Sequence, residues 1–169
     1  MAGCGVNALD DWAFCAKCGT RLVSGADTDL KPACPACGWF RPTYALPVAL
    51  VLAHDEDGQV IFARRSGWPE GAWALVAGFI EAGETAEAAA LRELAEEAQV
   101  MGRNPQVRRT LVREDLLLVC VEVRFDGSPR AGSDVDEVLL AAPDPDRIPQ
   151  GWEARTFVED YLSGWKAGE

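Results

Sequence analysis

The chain has 169 residues, 49% of them hydrophobic and 25% charged, with a formal charge of -11 and a pI near 4.5. That length provides one sizeable core and a small appendage, and the composition is that of a globular chain. The acidic balance argues against loose binding to nucleic acid or to acidic membranes, both polyanions, and an anionic substrate would need a bridging cation or a local basic pocket.

No run of about 18 apolar residues marks a membrane span. The opening MAGCGVNALDDWAF carries no basic region, long apolar region or cleavage site. A reducing cytoplasm is therefore the expected compartment, where cysteines are expected to bind metal rather than pair as disulfides. Two knuckles come first, Cys15-Ala-Lys-Cys18-Gly19 and Cys34-Pro-Ala-Cys37-Gly38, with fifteen residues between Cys18 and Cys34. This spacing suits a tetrahedral thiolate site for zinc; two disulfides or four unrelated thiols are the disfavoured alternatives. A glycine follows each knuckle, where a tight turn needs a positive φ. The segment is too short and too poor in Leu, Ile and Val to hold together without metal, so residues 1–42 are expected to form a zinc ribbon. Four thiolates leave no open coordination position, which makes the zinc structural. Cys4 stands apart and is assigned no role. Cys120, in LLLVCVEVRF, reads as a small core residue.

Residues 43–169 form the second expected domain. Leu46–Ala53 and Gln59–Ala63 are short apolar runs, and Asp57-Gly58 between them is a hairpin signal. SGWPEGAW reads as a loop and ALVAGFI as a strand. Thr85–Glu97 reads as a helix with Thr85 as its N-cap. Leu116–Phe125 and Val135–Ala141 read as strands, PDPDRIPQG as a loop and Trp152–Trp165 as a closing amphipathic helix. Strands and two helices together imply a mixed α/β layer structure.

On a helical wheel, Leu91, Leu94, Ala95 and Ala98 fall on one side, expected to face the core, and Glu93, Glu96 and Glu97 on the other. The three carboxylates are neighbours, and their mutual repulsion costs only about 0.2–0.5 kcal/mol per pair. A solvated acidic face tolerates that, and a hard divalent cation also wants such a cluster. Spacing alone leaves both readings open.

The stretch GFIEAGETAEAAALRELAEEAQV resembles the Nudix box, G-x5-E-x7-R-E-U-x-E-E-x-G-U, where U is a bulky aliphatic residue. Gly78, Glu84, Arg92, Glu93, Leu94, Glu96, Glu97 and Val100 match, and Gln99 stands where the family has Gly. FCAKCG, ALVAGFIEAGE and EARTFVEDYL further resemble the zinc-ribbon branch of NADH pyrophosphatases. Where that branch carries SQPWPFP downstream of the box, this chain has RRTLVREDLLL, so NADH does not follow from the resemblance.

The resemblance implies an α/β/α Nudix sandwich with a mixed sheet after the ribbon. It implies hydrolysis of a nucleoside diphosphate derivative: a dinucleotide such as NADH, ADP-ribose or a nucleotide sugar, with nucleoside triphosphates still open. Mg2+ or Mn2+ would be held by Glu93, Glu96 and Glu97 with the Gly78 carbonyl. Arg92 would hold the glutamates in place, and Glu84 would orient Arg92 or the metal waters. Glu137 is the candidate general base, with Asp136 the runner-up and Glu93 itself a further alternative. Arg64 and Arg65 could grip a phosphate or form an ordinary surface pair. Trp68 and Trp73 could stack on a base, although core packing suits them better, and His54, read as lying in a polar turn, has no expected chemical role. A homodimer is among the implied states. The rival class is a Nudix domain that senses a nucleotide metabolite, or docks a partner, without turnover. The retained glutamates count against it, while Gln99 and the unusual region after the box keep it open.

Overall fold

The computed structural model describes residues 13–23, 32–40, 45–65 and 67–165. Cys4 and the boundary expected between residues 42 and 43 lie outside them. The chain divides into two compact units, Met1–Ala45 and Leu46–Glu169.

In the first unit, isolated antiparallel bridges pair Phe14 with Arg21, Val23 with Ala33, and Ala33 with Phe40. The two knuckles repeat one geometry. The Cys15 amide donates to the Thr20 carbonyl at 2.8 Å and the Cys34 amide to the Trp39 carbonyl at 2.6 Å. Gly19 and Gly38 donate back to the first cysteine carbonyl of each turn, with φ of 74° and 71°. Only glycine takes that backbone at low cost.

The second unit contains β1 (Leu46–His54), β2 (Val60–Arg64), β3 (Val76–Phe79), α1 (Ala86–Ala98), β4 (Met101–Arg113), β5 (Leu116–Asp126), β6 (Glu137–Ala141) and α2 (Glu153–Leu162). The sheet order is β4-β5-β1-β2-β6, with β3 also paired to β1. β1 runs parallel to β5 and antiparallel to β2 and β3, so the sheet is mixed. From Val48 onward β1 is buried on both faces, which explains its unbroken apolar run. Ala49, Val51 and Ala53 pack on the side of α1; Val48, Leu50 and Leu52 pack on the side of α2 with Phe157 and Val158. The result is the expected α/β/α sandwich. Among the described residues no helix is long and apolar enough to cross a membrane.

The turn after β1 is built locally. The Asp55 carboxylate accepts from the Asp57 and Gln59 amides at 3.0 and 2.8 Å, and Gly58 takes φ 75°. Thr85 caps α1, its hydroxyl accepting from the Ala88 amide at 3.2 Å.

One strand was not expected, and two expectations are corrected. The thirteen residues of β4 carry no strand signal in the sequence, because nearly every side chain faces solvent on a sheet edge. Pro105 falls where the register slips, between Arg103 and Gln106, a position that does not need its missing N–H. The wheel of α1 is rotated: Ala89, Ala90, Glu93, Leu94, Glu97 and Ala98 are buried, whereas Ala95 is exposed. Glu93 and Glu97 therefore face inward, and only Glu96 of the three lies on the solvent side. His54 ends β1 rather than lying in a turn; it is buried, with Nε2 3.0 Å from a Glu122 carboxylate oxygen.

Candidate functional site

The first cluster is sulfur. The Sγ atoms of Cys15, Cys18, Cys34 and Cys37 all lie within 4.8 Å of one another. Individual separations are 3.7 Å for Cys15–Cys37, 3.5 Å for Cys18–Cys34 and 3.6 Å for Cys18–Cys37. A regular tetrahedron with Zn–S bonds of about 2.3 Å has edges of about 3.8 Å, so the set is the right size and chemistry for zinc.

The second cluster is built where α1 crosses β3. Gly78 lies opposite Ala49 of β1. A Cβ placed on Gly78 would come within 1.9 Å of Glu93 Oε1 and 2.0 Å of its Cδ. The carboxylate of Glu93 thus occupies space that only a glycine leaves. Arg92 ties the surroundings together. Its Nη1 donates to Glu93 at 2.6 Å and to Glu96 at 3.4 Å; its Nη2 donates to Glu84 at 2.6 Å and to the Phe79 carbonyl at 2.9 Å. The same Glu84 oxygen, Oε1, also accepts from the Glu81 amide at 2.7 Å, while Oε2 accepts from Arg92 Nε at 3.3 Å. The loop 79–84 is therefore fastened to α1 through one guanidinium, and that partner draws the Glu84 carboxyl below the usual range.

Glu97 has a different partner. It is 2% exposed, and its carboxylate accepts from Arg65, whose same nitrogen donates to the Ala77 carbonyl at 2.6 Å. Burial pushes the Glu97 carboxyl up, against the opposing charge of Arg65. The three glutamates expected to converge are consequently split between two arginines. Among the described residues only the four cysteines gather as a metal-sized cluster.

Arg64 and Glu137 form a separate pair. They face each other across β2 and β6, bonded at 2.7 and 3.3 Å. This bridge holds the Glu137 carboxyl below its ordinary value.

Beside Gly78 opens a pocket of about 310 Å³ on the α2 side of the sheet. Val48, Leu50, Leu75 and Leu118 line it, with Trp68 and Arg65 at its rim. Trp68 meets Trp152 edge-on at 4.8 Å, and Trp73 packs against the core.

A model of the NUDIX domain matches residues 44–161. The chain belongs to the Nudix family. Among relatives, the NAD-capped RNA hydrolase NudC of Pseudomonas aeruginosa is 37% identical over 87 residues, 52% of this chain and 31% of that protein. The NudC of Photobacterium profundum is 33% identical over 96 residues, 57% of this chain and 35% of that one. The chain thus spans about a third of the length of these curated relatives. A NUDIX hydrolase from Nitrosomonas europaea superposes with a TM-score of 0.73 at 22% identity, over 92% of this chain and 96% of that one. The NUDIX domain of Shewanella oneidensis NrtR, solved with ADP ribose, superposes with a TM-score of 0.60 at 20% identity, over 72% and 88%. At these identities the likeness is one of fold.

The departure from the Nudix box at Gln99 has a local answer. Gln99 takes the left-handed conformation at φ 54° and ψ 35° that closes α1, a role glycine fills more cheaply. Its Nε2 donates to the Ala131 carbonyl at 2.8 Å. The loop 130–133 in turn donates backbone amides from Arg130, Gly132 and Ser133 to the carbonyls of Ala98, Glu97 and Glu96 at 2.9, 2.9 and 3.0 Å. These satisfy helix-end carbonyls that α1 itself cannot. Gly132 lies so close that a Cβ there would meet the Glu96 carbonyl at 1.9 Å.

The pocket lining was not legible as a set in this Nudix sequence. Val48 with Leu50, and Leu116 with Leu118, each show period-two spacing within a strand. Only the parallel register of β1 with β5, Val48 opposite Leu118, makes them one wall. Arg113 and Glu153 lie 40 residues apart in the chain, and they meet at 3.3 Å in the same lining.

Proposed function

We propose that the chain is a divalent-metal-dependent pyrophosphohydrolase acting on a nucleoside diphosphate derivative, of the dinucleotide or ADP-ribose and nucleotide-sugar class. The observation that carries this reading is the Gly78 cradle. The buried carboxylate of Glu93 presses against a strand position that tolerates no side chain, beside an apolar pocket sized for a ring. Glu93, Glu96 and Glu97 with the Gly78 carbonyl would supply an all-oxygen donor set suited to Mg2+ or Mn2+. A bound cation of this kind polarises a phosphoryl oxygen and acidifies a coordinated water.

The chain's own residues supply the rest. Arg92, anchored by Glu84, keeps Glu93 and Glu96 in place. Arg64 and Arg65 offer guanidinium groups to the substrate phosphates. The pocket under Trp68 receives an aromatic ring of the substrate. Water adds to one phosphorus, the bridging P–O bond breaks, and two phosphomonoesters leave. Glu137 accepts the water proton after parting from Arg64, because the ion pair otherwise suppresses its basicity.

A panel of NADH, NAD, ADP-ribose, diadenosine compounds and nucleoside triphosphates tests the reading. With Mn2+ or Mg2+ and a coupled phosphatase, phosphate release is expected from the dinucleotides or ADP-ribose. Binding of ADP-ribose by calorimetry with no turnover of any panel member would replace this reading with a sensor. The split of the glutamates between two arginines is the observation that favours that second reading.

We further propose that residues 1–42 are a structural zinc ribbon. Purified protein is expected to carry stoichiometric zinc, released on Cys34→Ser substitution or by a strong chelator. Residues 13–40 should then become protease-sensitive while Leu46–Glu169 remains protected. A metal-free protein whose mass shows two disulfides would sink the assignment.

A further inference from the structure

We propose that Arg65 is an internal counter-ion that competes with the divalent cation for Glu97, so that cation binding frees its guanidinium to turn toward the mouth of the pocket beside Gly78. This rests on the assignment of Glu97 as a metal ligand made above.

The two arginines of the site are held very differently. Arg92 bonds to Glu84, Glu93, Glu96 and the Phe79 carbonyl at once. Removing it would leave the loop 79–84 unfastened. Among the described residues the Arg65 guanidinium makes two bonds, both through Nη2: one to the Ala77 carbonyl and one to Glu97. It follows the last residue of β2, its side chain is 40% exposed, and it lines the pocket beside Gly78. Arg65 is therefore the guanidinium that can move.

Charge makes it move. Glu97 is almost fully buried, and Arg65 is the one cation bonded to it among the described residues. A divalent ion on the same carboxylate would sit a few ångströms from a fixed positive charge. At a partly buried site two like charges a few ångströms apart repel, and the repulsion doubles for a divalent ion. A divalent ion drawing on Glu97 therefore weakens the hold of Arg65 on it. The arginine tolerates the alternative, because a guanidinium is weakly hydrated and stacks readily on apolar and aromatic surface. Trp68 lines the same pocket. In that position the guanidinium faces the space where an anionic diphosphate would enter, so cation occupancy and anion binding are coupled, and the coupling is reciprocal.

The test uses the full chain and Mn2+ alone, titrated by electron paramagnetic resonance. Arg65→Ala is expected to bind Mn2+ about tenfold more tightly than wild type, Arg65→Lys to stay near wild type, and Glu97→Gln to lose the site. Arg65→Gln, which keeps an amide donor for the Ala77 carbonyl, stands in if Arg65→Ala does not fold. Equal or weaker Mn2+ affinity in a folded Arg65→Ala or Arg65→Gln chain overturns the competition. Wild-type Mn2+ binding by Glu97→Gln overturns the metal assignment itself, a separate failure. A Mg2+ titration followed on the arginine Nε–H resonances reads the release directly. The Arg65 signal, identified by its absence in Arg65→Lys, should shift while Arg92 stays; an unmoved Arg65 signal at saturating Mg2+ contradicts the proposal.

Discussion

Glu97→Gln is expected to lower kcat by about 10²- to 10³-fold on whichever diphosphate the protein hydrolyses, with the fold retained. The change keeps the shape of a side chain that is 2% exposed and removes only its charge. Burial already raises the Glu97 carboxyl, so a neutral group there relieves a desolvation cost. The loss is the ion pair with Arg65, whose own side chain is 40% exposed and can turn to water. The net stability change should therefore be small, about 1 kcal/mol. Turnover at saturating Mn2+ and thermal melting in its absence separate the two effects. Wild-type turnover by the folded variant would remove Glu97 from the chemistry.

Gly78→Ala is expected to lower kcat/KM by about 10²-fold, out of proportion to its effect on stability. The added Cβ would overlap Glu93 Oε1 and Cδ at 1.9 and 2.0 Å. Both atoms lie at the end of a flexible side chain, so Glu93 swings away and the backbone stays. Its 2.6 Å bond to Arg92 breaks, and the carboxylate leaves the cradle. Gly102→Ala is the control. There the Cβ meets Leu91 Cδ2 at 2.6 Å and Val123 Cγ1 at 2.7 Å, in packed apolar surroundings. That substitution should lower Tm by several degrees through overpacking while sparing kcat/KM. Equal melting and activity losses in the two variants would mean that Gly78 matters only for packing.

Both predictions depend on a rotation of α1 that the helical wheel misjudges. A wheel assigns the apolar side to the core, and Leu91, Leu94, Ala95 and Ala98 look like that side. The helix instead buries Ala89, Ala90, Glu93, Leu94, Glu97 and Ala98. Two carboxylates can turn inward because arginines from elsewhere meet them: Arg65 comes from the end of β2, and Arg92 is itself braced by Glu84. Paired charges are cheaper to bury than lone ones, and nothing in the periodicity of α1 announces where the pairs come from.

What the sequence alone determined about this protein is local. The cysteine knuckles with their glycines, the Thr85 cap, the Asp55–Gln59 turn and the box motif each rest on residues a few positions apart, where spacing and backbone geometry decide the outcome. Tertiary structure decided which carboxylate meets which arginine, because Arg65 and Glu97 are 32 residues apart and Arg64 and Glu137 are 73 apart. It also made β4 a strand. Exposed along almost its whole length, that segment has no buried face to impose a pattern on its side chains, and it is extended because the backbone of β5 offers it hydrogen bonds.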